Sequence, residues 1–557
     1  MITLKIKRKF TLVLISFVCI LPAVFGQKLK QDAVKNNLYQ KPKLVVGIIV
    51  DQMRYDYLVR FYNKYSNDGF KRLMSGGFSY TNANYDYIPT YTACGHSCVY
   101  TGTGPASNGI IGNDWYDRKS KQTIYCVSDS LMKPLGTTSI SGKMSPKNLV
   151  TTTIGDELKL ASNFKSKVIA VALKDRGSIL PAGHSADAAY WHDPYTNNFI
   201  TSTYYMKSLP EWVTEFNKRK LPDSLLSKPW NTLLPISNYT ESSDDNTPYE
   251  GLFYGEKSPV FPHNLPMIKD SDMELIRKIP MGNTLTELFV EDIITKEKMG
   301  KGNETDLLAI SFTSTDYVGH MFGINAIELE DTYLRLDKDI ADLLRFLDAK
   351  IGKNDYQVFL TGDHAAVNNP KYSEDHNLKG DFFEARPMGD SLKKYLNGIY
   401  GVGDYVMNVT ASNIYLNREV IEQKNINLGE IQEKCQRFVL GFEGVAYAMT
   451  ASELQNGSQR TGIASFIQNG YNQKRSADVL IQLQPGWINW ATKTGTTHGS
   501  AYRYDTHVPL IFYGKNIAEG RSHEQVSISD IAPTICTFLN IEFPSGTTGK
   551  PLQEVLK

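Results

Sequence analysis

Leu44-Val45-Val46-Gly47-Ile48-Ile49-Val50 is an apolar run that ends abruptly in Asp51. Its length suits a strand. Its lack of polar alternation suits a strand covered on both faces, as in a parallel sheet. The pattern recurs twice: Leu307-Leu308-Ala309-Ile310-Ser311-Phe312 leads to Asp316, and Val358-Phe359-Leu360 leads to Asp363-His364. In open α/β sheets, ligands bind beyond the carboxyl ends of the strands. Three such runs would deliver their carboxylates to one sheet edge. The expected fold class is α/β, with a central, mainly parallel sheet, helices on both faces and inserted cap segments.

The polar residues at these ends have ligand chemistry. Asp316 and His320 are spaced i, i+4, so on a helical turn they share a face. Asp363 and His364 are neighbours, which point to opposite faces of a strand. They serve one ion only where the backbone turns, and Gly362 before them fits a turn. His498, in Thr496-Thr497-His498-Gly499, completes the set. Three Asp and three His suit two borderline cations such as zinc, each with three protein ligands and an open position. Plainer readings exist for each residue alone: Asp51 and Asp363 as helix caps, His498 as an ordinary loop histidine.

Thr92 is the candidate nucleophile. Pro89 restrains the chain before it, residues 92–100 can be helical, and Gly102 and Gly104 end the segment. That spacing puts the hydroxyl at a helix N-terminus, which favours anions. Thr90 competes for the role, and helix capping is the plain alternative. Asn113 follows the Gly109-Ile110-Ile111-Gly112 loop and could bring its amide to a ligand. Lys174 and Arg176 alternate, so on an extended segment both would face one way and invite an anion.

The chain has 557 residues and a formal net charge of +1. Residues 1–26 read as an export signal: Lys5, Lys7, Arg8 and Lys9 precede an apolar stretch too short for a comfortable membrane span. Their removal takes away four cations and no acid and leaves −3. That balance argues against a nucleic-acid binder relying on overall basic charge. The expected protein is secreted or periplasmic and has no stable membrane insertion after cleavage. Cys94, Cys98, Cys126, Cys435 and Cys536 form no zinc-ribbon pattern, and their odd number leaves at least one unpaired within the chain. Residues 27–557 read as one catalytic domain, with insertions at about 118–300 and 371–490. A helix is expected over 326–347, another over 419–438, and a late strand over 508–512.

Longer motifs carry a resemblance. They are Val50-Asp51-Gln52-Met53-Arg54, Gly112-Asn113-Asp114-Trp115-Tyr116-Asp117, Leu173-Lys174-Asp175-Arg176, Ser314-Thr315-Asp316-Tyr317-Val318-Gly319-His320 and Gly495-Thr496-Thr497-His498. From about Lys43 to Glu554 the chain resembles the phosphate-irrepressible (PafA-type) alkaline phosphatases, within the alkaline phosphatase superfamily. The resemblance implies an alkaline phosphatase-like sandwich and hydrolysis of phosphate monoesters with two Zn²⁺ per chain. By that resemblance Asp316, His320 and His498 would hold one ion. Asp51, Asp363 and His364 would hold the other, with Thr92 as nucleophile on it. Asn113, Lys174 and Arg176 would contact the phosphate oxygens. A phosphodiesterase or nucleotide pyrophosphatase of the same superfamily is the nearest rival. Lys174 and Arg176 weigh against it because they suit a dianion. A sulfatase fits less well, since Cys94 is followed by Gly95-His96-Ser97-Cys98, not by Cys-x-Pro-x-Arg. A non-catalytic metal-binding or adhesion protein would have no use for a full ligand set plus a nucleophile. The oligomeric state and the physiological substrate stay open at this level.

Overall fold

The three apolar runs stand side by side. In this computed structural model, which describes residues 40–556, Leu44–Val50 pairs in parallel with Tyr356–Gly362 on one side and Asp306–Phe312 on the other. Val50 is level with both Gly362 and Phe312, so Asp51, Asp363 and the segment carrying Asp316 leave the sheet at one edge. Parallel pairing continues outward to Val168–Ala172 and Ala188–Asp193. Antiparallel pairing flanks this core: His507–Gly514 runs against it and Gly77–Asn84 against His507–Gly514 on one side, and Asn198–Ser202 runs against Ala188–Asp193 on the other. The export signal read over residues 1–26 lies outside the described residues. From Pro42 onward the described chain clusters as one unit.

Burial explains the missing polar alternation. Leu44, Val46, Ile48 and Val50 enter the core on one face, and Val45 and Ile49 enter the core on the other. The first core includes the apolar stripe of the Ile327–Lys350 helix, and the second includes that of Thr92–Thr101. Each fully buried aliphatic side chain contributes about 1.5–3 kcal/mol, far more than an exposed charge pair, so packing rather than surface charge seats these helices. A Cβ at Gly47 would collide with the Tyr100 hydroxyl and the Phe359 ring. Only glycine lets the Thr92–Thr101 helix lie this close to the central strand.

Several expectations need correction. Residues 118–300 are not simply an insertion, because Val168–Ala172, Ala188–Asp193 and Asn198–Ser202 belong to the central sheet. Val-Ile-Ala-Val-Ala is too short to stand out among polar flanks. Within 371–490 lies a second, antiparallel sheet in the order Val406–Val409, Asn413–Leu416, Val479–Leu483, Val445–Thr450. It has its own core, including Leu392, Ile431 and Val479. The helix expected over 419–438 is two helices, Arg418–Gln423 and Leu428–Val439. Asn425 takes a left-handed φ of 55°, and the Asn427 side chain caps the second helix by accepting from Glu430 N–H. The late strand is longer than expected, His507–Gly514. Cys94, Cys98, Cys126, Cys435 and Cys536 are all free and buried.

Candidate active site

Asp51 follows its strand directly and caps no helix. The next residue, Gln52, takes a left-handed φ of 62°, a conformation that costs a side-chain-bearing residue about 1–3 kcal/mol. The turn ties two other strand ends together. Gln52 N–H donates to Asp363 Oδ1 at 3.0 Å, and Gln52 Nε2 donates to Asp316 Oδ1 at 2.7 Å. Asp316 and His320 lie on the Ser314–Phe322 helix, and His320 Nε2 is 3.2 Å from Asp316 Oδ1. Asp363 and His364 lie just past the end of the Tyr356–Gly362 strand. There the Thr92–Thr101 helix approaches so closely that a Cβ on Gly95 would collide with the Asp363 carbonyl.

The histidines are oriented alike. His320 Nδ1 lies 2.8 Å from the Thr496 carbonyl, His364 Nδ1 3.1 Å from that of Ala365, and His498 Nδ1 2.7 Å from that of Thr90. A carbonyl only accepts, so each Nδ1 carries the hydrogen and each Nε2 keeps its lone pair. This is how proteins prepare imidazoles as metal ligands. The Nε2 atoms face carboxylates: His364 Nε2 lies 3.5 Å from Asp51 Oδ1 and 3.4 Å from Asp363 Oδ2, and His498 Nε2 lies 3.7 Å from Asp316 Oδ1. Two overlapping groups have the closeness a cation needs, Asp51–Asp363–His364 and Asp316–His364–His498. His364 sits in both, and His320 joins the second through Asp316. Asp51 Oδ1 and Asp363 Oδ2 are buried with no hydrogen-bond donor. Such carboxylate oxygens are costly unless a cation meets them. The donor set fits divalent cations such as zinc.

Electrostatics agree. Burial, reinforced by Asp363, holds Asp51 well above the ordinary carboxylate range, and burial pushes Asp363 up to about 7. Burial would raise Asp316 too, but His320 and Lys174 bring it well below that range. Burial keeps His364 neutral and lowers His498 to about 3. This crowd of buried carboxylates has one buried lysine. Lys174 Nζ donates to Asp51 Oδ2 at 2.7 Å and to Asp316 Oδ2 at 2.5 Å.

Thr92 opens its helix, and Tyr91, the capping residue, supplies no side-chain cap. The Thr92 hydroxyl instead points into the cluster, with Oγ1 3.5 Å from His364 Nε2. Thr90 is engaged elsewhere, donating to the Ser500 carbonyl. Asn113 Oδ1 accepts from Ala93 N–H at 3.0 Å, which fixes its amide beside Thr92 and leaves the Nδ2 end for a ligand. Lys174 and Arg176 are not on one extended face: Lys174 caps the Asp175–Ala182 helix and Arg176 lies within it. Tyr125 holds the arginine, with Arg176 Nη1 donating to Tyr125 Oη at 3.0 Å.

Two supports escaped sequence reasoning. His96 donates through Nδ1 to the Thr92 carbonyl at 2.9 Å and sits 3.3 Å from Asp363 Oδ2, while Ser311 Oγ lies 2.9 Å from its Nε2. Its signal was available, since Thr92 and His96 share the i, i+4 spacing that drew attention to Asp316 and His320. The Gln52 turn had no signal, because no sequence pattern marks a left-handed glutamine.

Comparisons with known proteins agree on the family and span most of the chain. Residues 45–505 match the family of type I phosphodiesterases and nucleotide pyrophosphatases. The chain is 45% identical to alkaline phosphatase PafA of Elizabethkingia meningoseptica, across 94% of this chain and 96% of that protein. It is 42% identical to alkaline phosphatase PhoV of Synechococcus elongatus, across 99% and 100%. It is also 47% identical, across 93% and 95%, to a Myroides odoratus protein named calcium-transporting ATPase. Among the described residues no helix is long and apolar enough to cross a membrane. The crystal structure of wild-type PafA superposes with a TM-score of 0.90 at 44% identity, covering 93% of this chain and 99% of that one. By sequence and by fold, the chain belongs to the PafA-type alkaline phosphatases, within the type I phosphodiesterase and nucleotide pyrophosphatase family.

Proposed function

We propose that the protein is a secreted, periplasmic alkaline phosphatase that hydrolyses phosphate monoesters with two zinc ions and a phosphothreonine intermediate on Thr92. The observation that carries this reading is the aim of Thr92 Oγ1 at His364 Nε2, inside overlapping groups of carboxylates and Nδ1-anchored imidazoles. Asp51, Asp363 and His364 would hold one ion, with Thr92 as a further ligand; Asp316, His320 and His498 would hold the other. Bound zinc would lower the pKa of a coordinated oxygen and offset phosphoryl charge.

The chain's own residues then have definite roles. Thr92 Oγ attacks phosphorus, the Oγ–P bond forms and the bond to the ester oxygen breaks. Water later cleaves the Oγ–P bond and restores the hydroxyl. The start of the Thr92–Thr101 helix offers the phosphoryl group a positive dipole end. Asn113 Nδ2, Lys174 and Arg176 donate to the non-bridging oxygens. His96 holds the Thr92 backbone and backs Asp363, and Gln52 ties Asp363 to Asp316, one of the two carboxylates that Lys174 bridges.

The family description also favours a second reading, a phosphodiesterase. The cations at Lys174 and Arg176 weigh against it, since a diester offers one charge fewer. Turnover of matched monoester, diester and sulfate ester by zinc-loaded protein separates the readings, with the monoester expected to be fastest. Elemental analysis should find two zinc per chain, and chelation should abolish turnover. Full activity with one ion or none would overturn the metal assignment.

A further inference from the structure

A cavity of about 330 Å³ opens beside His498 and Asn113. A second, of about 140 Å³, shares Tyr91, Asp114, Ser412 and Asn413 with it, so the two form one groove. The combined space is in the range of small-molecule sites. Tyr91, next to the candidate nucleophile, packs edge-on to His498 with ring centroids 5.7 Å apart. The opposite wall comes from the inserted sheet: the turn at 410–413, the end of Val479–Leu483, and residues 487–489. Tyr91, Trp487 and Tyr504 present aromatic surface, while Ser412, Asn413 and Asn489 add hydroxyl and amide groups, with Asn413 Nδ2 donating to Ser412 Oγ and Asn489 Nδ2 to the Phe383 carbonyl. Among the described residues, no Lys or Arg lines either cavity. Besides His498, the ionisable acids there are Asp505, already bonded to Gly499 N–H, Ser500 N–H and Ser500 Oγ, and the exposed Asp114.

We propose that this groove is the leaving-group subsite, and that it takes neutral, hydroxyl-bearing rings such as a monosaccharide or a nucleoside. The proposal rests on the phosphatase reading and adds to it a preference among monoesters. Neutral amides and hydroxyls can satisfy ring hydroxyls, and aromatic faces can cover the ring. A leaving group with its own carboxylate or phosphate meets no cation there and lies near Asp114, where like charges repel.

The test uses matched substrates and zinc-loaded full-length protein. Sorbitol 6-phosphate and 6-phosphogluconate share the leaving oxygen and differ by a carboxylate at the far end. Wild type should favour sorbitol 6-phosphate by roughly fivefold in kcat/KM, a factor set by a single like-charge contact in water, and Ser412→Lys should narrow or invert the ratio. Trp487→Ala should lower kcat/KM for glucose 6-phosphate or AMP by about three- to tenfold relative to methyl phosphate, the worth of an aromatic contact. A loss confined to AMP identifies a nucleoside as occupant, and a loss confined to glucose 6-phosphate a monosaccharide. Equal losses on methyl phosphate and the ring substrates, or no charge discrimination and no response to Ser412→Lys, would overturn the subsite alone. Wild type inert towards methyl phosphate and every other monoester would overturn the phosphatase reading, and the subsite with it.

Discussion

Among the described residues, carboxylates are buried beside imidazoles in two places, and the two are built differently. At the strand ends, each histidine gives its Nδ1 to a backbone carbonyl and aims Nε2 at carboxylates. Further along the chain, His263 faces carboxylates with both nitrogens: Nδ1 lies 2.9 Å from Glu256 and Nε2 3.1 Å from Glu328. Rings of Trp230, Phe253, Phe261 and Phe322 surround it at 4.8–5.5 Å. In the first arrangement burial holds His364 and His498 neutral, with lone pairs free for cations, while Asp316 outweighs burial and raises His320. In the second, the ring itself is the cation, neutralised by two glutamates and faced by aromatic quadrupoles. Residue types alone would not separate them. The partner of the second ring nitrogen does. Changes at the strand ends should therefore remove activity and leave the fold standing, whereas changes around His263 should act on the fold.

The largest effect should come from Thr92. Thr92→Ala removes the hydroxyl that would carry phosphate, and kcat/KM for a monoester should fall on the order of 10³-fold or more. Thr92→Ser keeps a hydroxyl and should retain activity within roughly tenfold of wild type. Both variants should melt close to wild type, since the hydroxyl caps no helix. Acid-quench peptide mapping should place phosphate on Thr92; phosphate on Thr90 would break the assignment. A melting point that fell in step with activity would blur the contrast with His263.

Lys174 and Arg176 sharpen it at the next level. Each should be worth roughly 10²-fold for a monoester and less for a diester, which puts a substituent where one charged oxygen would lie. The two should differ in a second measurement. Lys174 touches the ligand carboxylates Asp51 and Asp316, so Lys174→Ala should alter zinc affinity as well as turnover. Arg176 is held by Tyr125, so Arg176→Ala should lower the monoester-to-diester ratio at unchanged zinc content. Equal losses on both ester types would make the cations structural.

Much of the site was legible because strand ends concentrate it. Asp51, Asp363 and Asp316 each follow an uninterrupted apolar run, and parallel register brings such ends together. Thr92 was legible from Pro89 and the glycines that end its helix. What escaped depended on neighbours rather than on pattern. The strand at Val168–Ala172 is only five residues long and hid in a polar stretch. Lys174 and Arg176 were expected on one extended face, yet the chain turns helical between them. The Gln52 turn is held by contacts 264 and 311 residues away in sequence, to Asp316 and Asp363, and no local signal encodes such a partner.

The His263 triad yields the smallest effect and the clearest pH signature. Burial would depress the imidazole, but Glu256 and Glu328 outweigh it and push His263 up to about 9. An unfolded histidine titrates near ~6.5. Because the folded value is raised, the stability the triad contributes is fully present below the unfolded value and is lost as pH rises through 9. Its size is at most about 3 kcal/mol. Glu250 works in the same direction: burial, reinforced by Glu328, pushes it up to about 8, so at higher pH the fold must hold an unfavourable carboxylate. Urea melts between pH 6.5 and 9.5 should therefore show wild type losing stability towards the alkaline end, about 2–3 kcal/mol of it through His263. His263→Gln should be less stable at the acid end, because it leaves buried Glu328 and half-buried Glu256 unpaired, and should show a flatter dependence whose remainder is owed to Glu250 and to Glu287, which burial pushes up to about 9. Activity per folded molecule should be close to wild type in the same variant, since the triad touches none of the strand-end ligands. Identical slopes in wild type and His263→Gln would mean that His263 is neutral in the fold, and the contrast between the two buried sites would fail.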